Sequence, residues 1–182
     1  SLESLFNQTL RKFSLKTVLM LIDQMIQRIE YIHNRHFIHR DIKPSNIMVE
    51  RTPSGSLRPV IMDFGLARES GDSHGLTESG AVMGTPAYMS PEQARGEARR
   101  LDRRSEVYSL GATMYDVLCG KPPFEDQTVL NILLKVMNEP PSPLRSLDPT
   151  IPEAIEPEVS KWLNKEPAQR DPSAKATGGE LR

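Results

Sequence analysis

The sequence predicts a mostly α-helical fold that carries one small β-hairpin. Three observations predict it. Residues 14–33 place Leu15, Val18, Leu19, Ile22, Met25, Ile26, Ile29 and Ile32 on the 3.6-residue repeat of an amphipathic helix. Residues 105–119, SEVYSLGATMYDVLC, are apolar nearly all round, as in a helix buried on every side. Two short apolar runs, 47–49 and 60–62, flank RTPSGS, the pattern of two strands joined by a turn.

Taken in order, Ser14 is the expected N-cap of the first helix, because a side-chain oxygen there can accept an unpaired backbone N–H. The hairpin follows. Residues 66–89 are rich in Gly, Ser and Thr and show no period, so a long loop is expected, and such loops in compact domains usually carry function. After the buried helix, residues 127–138 read as a further helix that ends before Pro140. PPSPLRSLDPTIPE is proline-rich and reads as an extended connection. Residues 155–165 and 172–181 read as two final helices. The second is weakened by Gly178 and Gly179, each about 1 kcal/mol less favourable in a helix than Ala.

Bulk composition narrows the function. The 182 residues suit one domain with a real core, and 37% apolar against 26% charged residues indicates a soluble globular class. A net charge of −1 argues against a strongly basic binder of nucleic acid or membrane surfaces. The single cysteine, Cys119, cannot form an internal disulfide. No run approaches the roughly 18 apolar residues of a membrane span, so no membrane segment is expected in this chain. The start, SLESLFNQTL, is neither basic nor apolar enough for a signal peptide. It lacks Met and opens mid-pattern, so the chain reads as a piece of a longer one. A cytoplasmic location is expected for this piece, with any anchor elsewhere in the full protein.

The chemistry concentrates in FIHRDIKPSNIMVE, residues 37–50. His39, Arg40, Asp41, Lys43 and Asn46 stand between apolar residues, and polar groups this dense are costly to bury unless each finds a partner. Asp63-Phe64-Gly65 follows Asn46 beyond the expected turn. A hairpin between them is expected to bring Asn46 and Asp63 side by side. An amide oxygen and a carboxylate then suit a hard divalent ion such as Mg²⁺. Beside that ion, Asp41 can accept a hydroxyl proton and Lys43 can neutralise phosphate oxygens. The plainer reading is an ordinary polar turn.

HRDIKPSN at 39–46, DFG at 63–65 and SPE at 90–92 together resemble the signature of protein kinases, H-R-D-x-x-x-x-N, D-F-G and A-P-E, in the right order. The resemblance implies a protein-kinase-like C-terminal lobe spanning 1–182. It implies ATP and Mg²⁺ as cofactors, and Ser/Thr-containing proteins as substrates and partners. Asp41 would orient the substrate hydroxyl and take its proton. Lys43 would lie near the transferred group, and Asn46 and Asp63 would hold Mg²⁺. Gly65 lets the backbone turn where a side chain would obstruct it. His39 and Phe64 look like members of a stacked apolar column, although plain packing is the default for a lone His. Met48 occupies the position that forms the floor under adenine, or is simply core.

Lys43, two residues after Asp41, and GTPAYMSPE at 84–92 resemble serine/threonine rather than tyrosine kinases. In such kinases the residue here numbered Thr85 bonds the catalytic Asp and Lys. Residues 66–89 would be the activation segment. Arg40 marks kinases in which phosphorylation orders it, since a phosphate adds about −1.5 to −2 charges that can pair with arginine. Thr77, then Ser79, are the candidate acceptors, or merely polar loop residues. Arg170 of EPAQRDPSA would pair with Glu92, the alternative being two unconnected surface charges. Residues 1–40 are similar to casein kinase I proteins, and residues 60–182 to bacterial serine/threonine kinases.

The sequence departs from the family in two respects. It carries no glycine-rich loop, no strand lysine and no partner Glu on an earlier helix, so the N-terminal lobe is expected to be absent and the piece inactive alone. Glu106 stands where the family usually has Asp, and the extra methylene is expected to fit poorly. Pro157 is expected to disfavour the helix at 155–165. The functional expectation is a protein serine/threonine kinase. The alternatives are a binding or scaffolding pseudokinase and, third, a helical interaction domain.

Overall fold

Ser14 opens the first helix with extended backbone, and its Oγ accepts the Thr17 N–H at 3.3 Å. That satisfies one of the donors a first turn leaves unpaired. The helix, α1, runs Leu15–His33. In this computed structural model, which describes residues 14–63, 68–69 and 85–173, α1 buries Val18, Leu21, Ile22, Met25, Ile26 and Ile29. They join one cluster with Val107, Leu110 and Met114 of the second long helix.

A two-residue strand, β1 (Phe37–Ile38), follows α1. A short 3₁₀ turn at Pro44–Asn46 leads into β2 (Ile47–Arg51), which pairs antiparallel with β3 (Leu57–Ile61). The register runs from Ile47↔Ile61 to Arg51↔Leu57. Thr52 N–H donates to Ser56 O at 2.8 Å, and Gly55 N–H donates to Thr52 O at 2.8 Å. Gly55 sits at φ 84°, a conformation other side chains rarely adopt. One face of this hairpin closes over α1, burying Ile47 and Ile61 in the common core.

The stretch expected as one long loop is partly regular. β4 (Arg68–Glu69) pairs antiparallel with β1, with Phe37 opposite Glu69 and Ile38 opposite Arg68. A 3₁₀ turn at Pro86–Tyr88 precedes α2 (Pro91–Ala94). Two-residue strands are too short to produce a readable period.

Helix α3 (Arg103–Cys119) is the spine of the molecule, and every residue from Ser105 to Val117 is buried. Asp102 and Ser105 form its capping box, and Gly120, at φ 75°, ends it. Helix α4 (Val129–Asn138) starts at Thr128, whose Oγ1 accepts the Asn131 N–H at 3.2 Å.

The proline-rich connection is not extended throughout. Leu144–Leu147 forms a helical turn, α5, anchored by the buried Leu144. Helix α6 (Ile155–Trp162) is shorter than expected. Beyond it, the Asn164 and Lys165 carbonyls accept hydrogen bonds from Arg170 at 2.7 and 3.1 Å, which turns the chain out of the helix. Pro157 does not harm α6. It lies in the first turn, where a missing N–H leaves no intrahelical bond unmade. The last expected helix, 172–181, lies outside the described residues from 174 onward.

Candidate active site

The strip 39–46 leaves β1 through a strained residue. Arg40 has φ 70°, the left-handed region that a non-glycine residue occupies at a cost. Both sides of it are held by side chains from elsewhere in the chain. Its N–H donates to Glu106 Oε1 at 2.8 Å, and its C=O accepts from Gln93 Nε2 at 3.0 Å. The next amide, Asp41 N–H, donates to His39 Nδ1 at 3.3 Å. His39 therefore carries its ring proton on Nε2, which donates to Met62 O at 2.9 Å. His39 is fully buried, and its ring links the strip to the residue before Asp63.

Two sequence-predicted residues, Lys43 and Asn46, converge on Asp41, and a third, Thr85, meets Lys43 rather than Asp41 itself. Lys43 Nζ lies 2.8 Å from Asp41 Oδ2 and donates to Thr85 Oγ1 at 2.8 Å. Asn46 Nδ2 donates to both Asp41 Oδ2 and Asp41 O, each at 2.9 Å. Thus Oδ2 has two donors, while Oδ1 takes no hydrogen bond from the described residues. The Asp41 side chain is 11% exposed, enough to meet a substrate.

The hairpin register differs by one residue from expectation. Met62, not Asp63, lies opposite Asn46, and Met62 N–H donates to Asn46 O at 2.8 Å. Asp63 comes one residue later, exposed and at φ 60°. Because Asn46 Nδ2 is committed to Asp41, the amide oxygen is the atom left for another partner. That oxygen and the Asp63 carboxylate are an all-oxygen donor set, which fits Mg²⁺. Among the described residues no three His, Cys, Asp or Glu cluster as metal ligands. An ion here would complete its shell with water and phosphate oxygens. Met48 is 48% exposed on β2, which removes the plain-core reading and leaves an apolar surface there. Phe64, Gly65, Thr77 and Ser79 lie outside the described residues.

Two buried pairs fix the strip to the body of the fold. Arg170 and Glu92 form a two-pronged ion pair at 2.7 and 2.9 Å, with side chains 0% and 1% exposed. Burial raises the Glu92 pKa, but the hydrogen bonds and charge of Arg170, with a bond from Ser105, outweigh it and hold the carboxyl below its ordinary value. Glu106 corrects the expectation of a poor fit. Its extra methylene lets one oxygen take the Arg40 N–H while the other meets His33 Nε2 at 2.6 Å.

His33, Gln93 and the Tyr88–Asp116 hydrogen bond at 2.6 Å are contributors that sequence reasoning missed. His33 was detectable, since it falls on the buried stripe of α1 four residues after Ile29. Gln93 was detectable as the third residue after Ser90 in a capping box.

The protein kinase domain family matches residues 1–177. The chain belongs to the protein kinase family. It is 40% identical over 148 residues to the DNA damage-responsive serine/threonine-protein kinase RqkA of Deinococcus radiodurans, covering 81% of this chain and 21% of that protein. It is 39% identical over 170 residues to the serine/threonine-protein kinase pkn3 of Myxococcus xanthus, covering 91% and 31%. Identity to the serine/threonine-protein kinase PknB of Mycobacterium tuberculosis is 38% over 156 residues, covering 85% and 24%. The chain thus spans between a fifth and a third of the length of these curated relatives. Among the described residues no helix is long and apolar enough to cross a membrane.

Proposed function

We propose that the protein transfers the γ-phosphoryl group of ATP to Ser or Thr hydroxyls of protein substrates. The observation that carries this reading is the convergence of Lys43 and Asn46 on Asp41, with Thr85 holding Lys43. Asp41 is held by its Oδ2, which leaves Oδ1 to take the proton of the attacking hydroxyl. The hydroxyl oxygen bonds to the γ-phosphorus, the bond to the bridging oxygen breaks, and ADP leaves with that electron pair. Lys43, 2.8 Å from Asp41, carries the positive charge that balances the transferred phosphoryl oxygens. Bound Mg²⁺ would neutralise phosphate charge, and Asn46 and Asp63 are the residues that would hold it.

Thr85 is occupied by Lys43, so a regulatory phosphate falls on Thr77 in preference to Thr85 on this reading. Mass spectrometry of active protein with phosphate mainly on Thr85 would contradict that. The location on this reading is the cytoplasm. Residues 1–182 alone transfer no phosphate, because the exposed Met48 surface supplies one side of an adenine site and needs another opposite it. The scaffold alternative rests on Glu106 and on the lobe missing from this piece; the bond from the Arg40 N–H to Glu106 at 2.8 Å supports the kinase reading on the first of these.

Nucleotide titration of the full-length protein separates enzyme from scaffold. ATP should bind more tightly with Mg²⁺ than without it, and Asp63→Ala should remove the difference. Equal affinity with and without Mg²⁺ in the parent would refute the metal role.

A further inference from the structure

The Arg40–Asp41 peptide group lies at the strained point of the strip and carries Asp41. Its N–H meets His39 Nδ1 at 3.3 Å, within the strip itself. Its C=O has a donor from outside, Gln93 Nε2 at 3.0 Å, a residue 53 positions away in α2. The carboxamide of Gln93 is used at both ends. Its Oε1 accepts the Ser90 N–H at 2.9 Å and meets Ser90 Oγ at 3.1 Å, while its Nε2 donates to the Arg40 carbonyl; the Gln93 backbone N–H donates to Ser90 Oγ at 3.3 Å. Gln93 is therefore at once the capping-box partner of α2 and the donor that fixes the strip.

We propose that Gln93 is a positioning residue for phosphoryl transfer, fixing the peptide plane from which the Asp41 carboxylate projects and tying that plane to α2. This rests on the proposed kinase reading. The two functions of the carboxamide are chemically separable. A capping box needs only an acceptor at this position, and Glu serves as well as Gln. The bond to the Arg40 carbonyl needs a donor, and an ionised Glu has none. Gln93→Glu keeps size, shape and capping but sets a carboxylate oxygen against a carbonyl oxygen. Arg40 is already strained, so losing the bond that holds its carbonyl lets the peptide turn. Misplacement of a reacting group by about 1 Å costs roughly 10²-fold in rate.

α2 is also the segment that Arg170 pins through Glu92, at 2.7 and 2.9 Å. Gln93 thus passes the position of the Glu92 anchor to Asp41. Ser90, Glu92 and Gln93 each make a different connection, to the cap, to Arg170 and to the strip.

The test uses the full-length protein, as parent, Gln93→Glu, Gln93→Ala and Asp41→Asn. Turnover and the ATP KM are measured with a Ser/Thr peptide, and exchange of the Asp41 amide proton is followed against the hydrogen-bonded amides of 93–97. In Gln93→Glu, turnover should fall roughly 10–100-fold with the ATP KM unchanged, scaled from the misplacement cost. The Asp41 amide should exchange faster while 93–97 stays as protected as in the parent. Gln93→Ala should lose protection in both places. Parent-like turnover in an active Gln93→Glu protein overturns the inference and leaves the kinase reading intact. A parent that transfers no phosphate refutes the kinase reading instead. The Asp41 amide then decides alone whether Gln93 fixes the strip, with faster exchange in Gln93→Glu supporting it and unchanged exchange overturning it.

Discussion

Arg170→Ala should unfold the protein more easily than any surface change, and the structure gives the size. The guanidinium spends all five of its N–H groups. It donates to Glu92 Oε1 at 2.7 Å and Oε2 at 2.9 Å, and to the carbonyls of Asn164, Lys165 and Arg104 at 2.7, 3.1 and 3.0 Å. Both side chains are almost wholly buried. Removing one partner of such a pair leaves an uncompensated buried charge and costs about 3–5 kcal/mol. A domain stable by about 5–15 kcal/mol loses at least about a fifth of its stability by that change. With a urea slope of about 1–3 kcal/mol/M, the midpoint should move down by about 2 M.

Acid should blunt the effect. In the parent, the Glu92 pKa is held below its ordinary value of 4.5, so this group stabilises the fold above that pH and the contribution is lost as pH falls through the depressed value. Without Arg170, burial, the largest single cause, is opposed only by the hydrogen bonds from Ser105 and the backbone, and the pKa rises. Protonation then favours the fold, and the penalty at pH 4 should be smaller than at pH 7. Urea denaturation monitored by circular dichroism at both pH values checks this. A loss under about 1 kcal/mol, or a penalty that grows with acid, would refute the buried-pair argument.

Two further outcomes follow from the same packing. Glu106→Asp, although it restores the residue usual in the family, should cost about 1–3 kcal/mol, because the shorter side chain cannot serve both Arg40 N–H and His33, and an unpaired buried donor carries that penalty; a neutral or stabilising result in thermal unfolding would contradict the fit assigned to Glu106. Lys165 has its pKa lowered to about 7, first by burial and then by the charges of Arg170 and Arg95. The unfolded chain therefore binds more protons between pH 7 and the ordinary lysine value, and stability should rise with pH across that window. Lys165→Met should flatten the rise, and an unchanged slope in denaturation at pH 7 and pH 9 would refute it.

The parts that could be read from the sequence are those whose causes are local. Ser14, the stripe of α1 and the all-round burial of α3 announced two helices, and RTPSGS between two apolar runs announced the hairpin. The strip from His39 to Asn46 was visible because its residues are neighbours in sequence. What stayed hidden depends on distant partners. β1 and β4 are two residues each, and neither has a pattern until they meet. The helical turn at Leu144 is set by one buried leucine among prolines that suggested extension. Glu106 looked too long, because its length is matched to His33, 73 positions away. Asn46 faces Met62 rather than Asp63, a one-residue difference that hydrophobic pattern alone does not fix.

The central claim is that Asp41, fixed through Oδ2 and open at Oδ1, takes the hydroxyl proton during transfer. Single-turnover transfer from ATP to a Ser/Thr peptide, in full-length parent and Asp41→Asn proteins saturated with Mg-ATP, tests it most directly. Nucleotide affinity should be nearly the same in both, and the transfer step should slow by roughly 10²–10⁴-fold in the variant, the span of general acid–base groups. Transfer at the parent rate by Asp41→Asn would contradict the account.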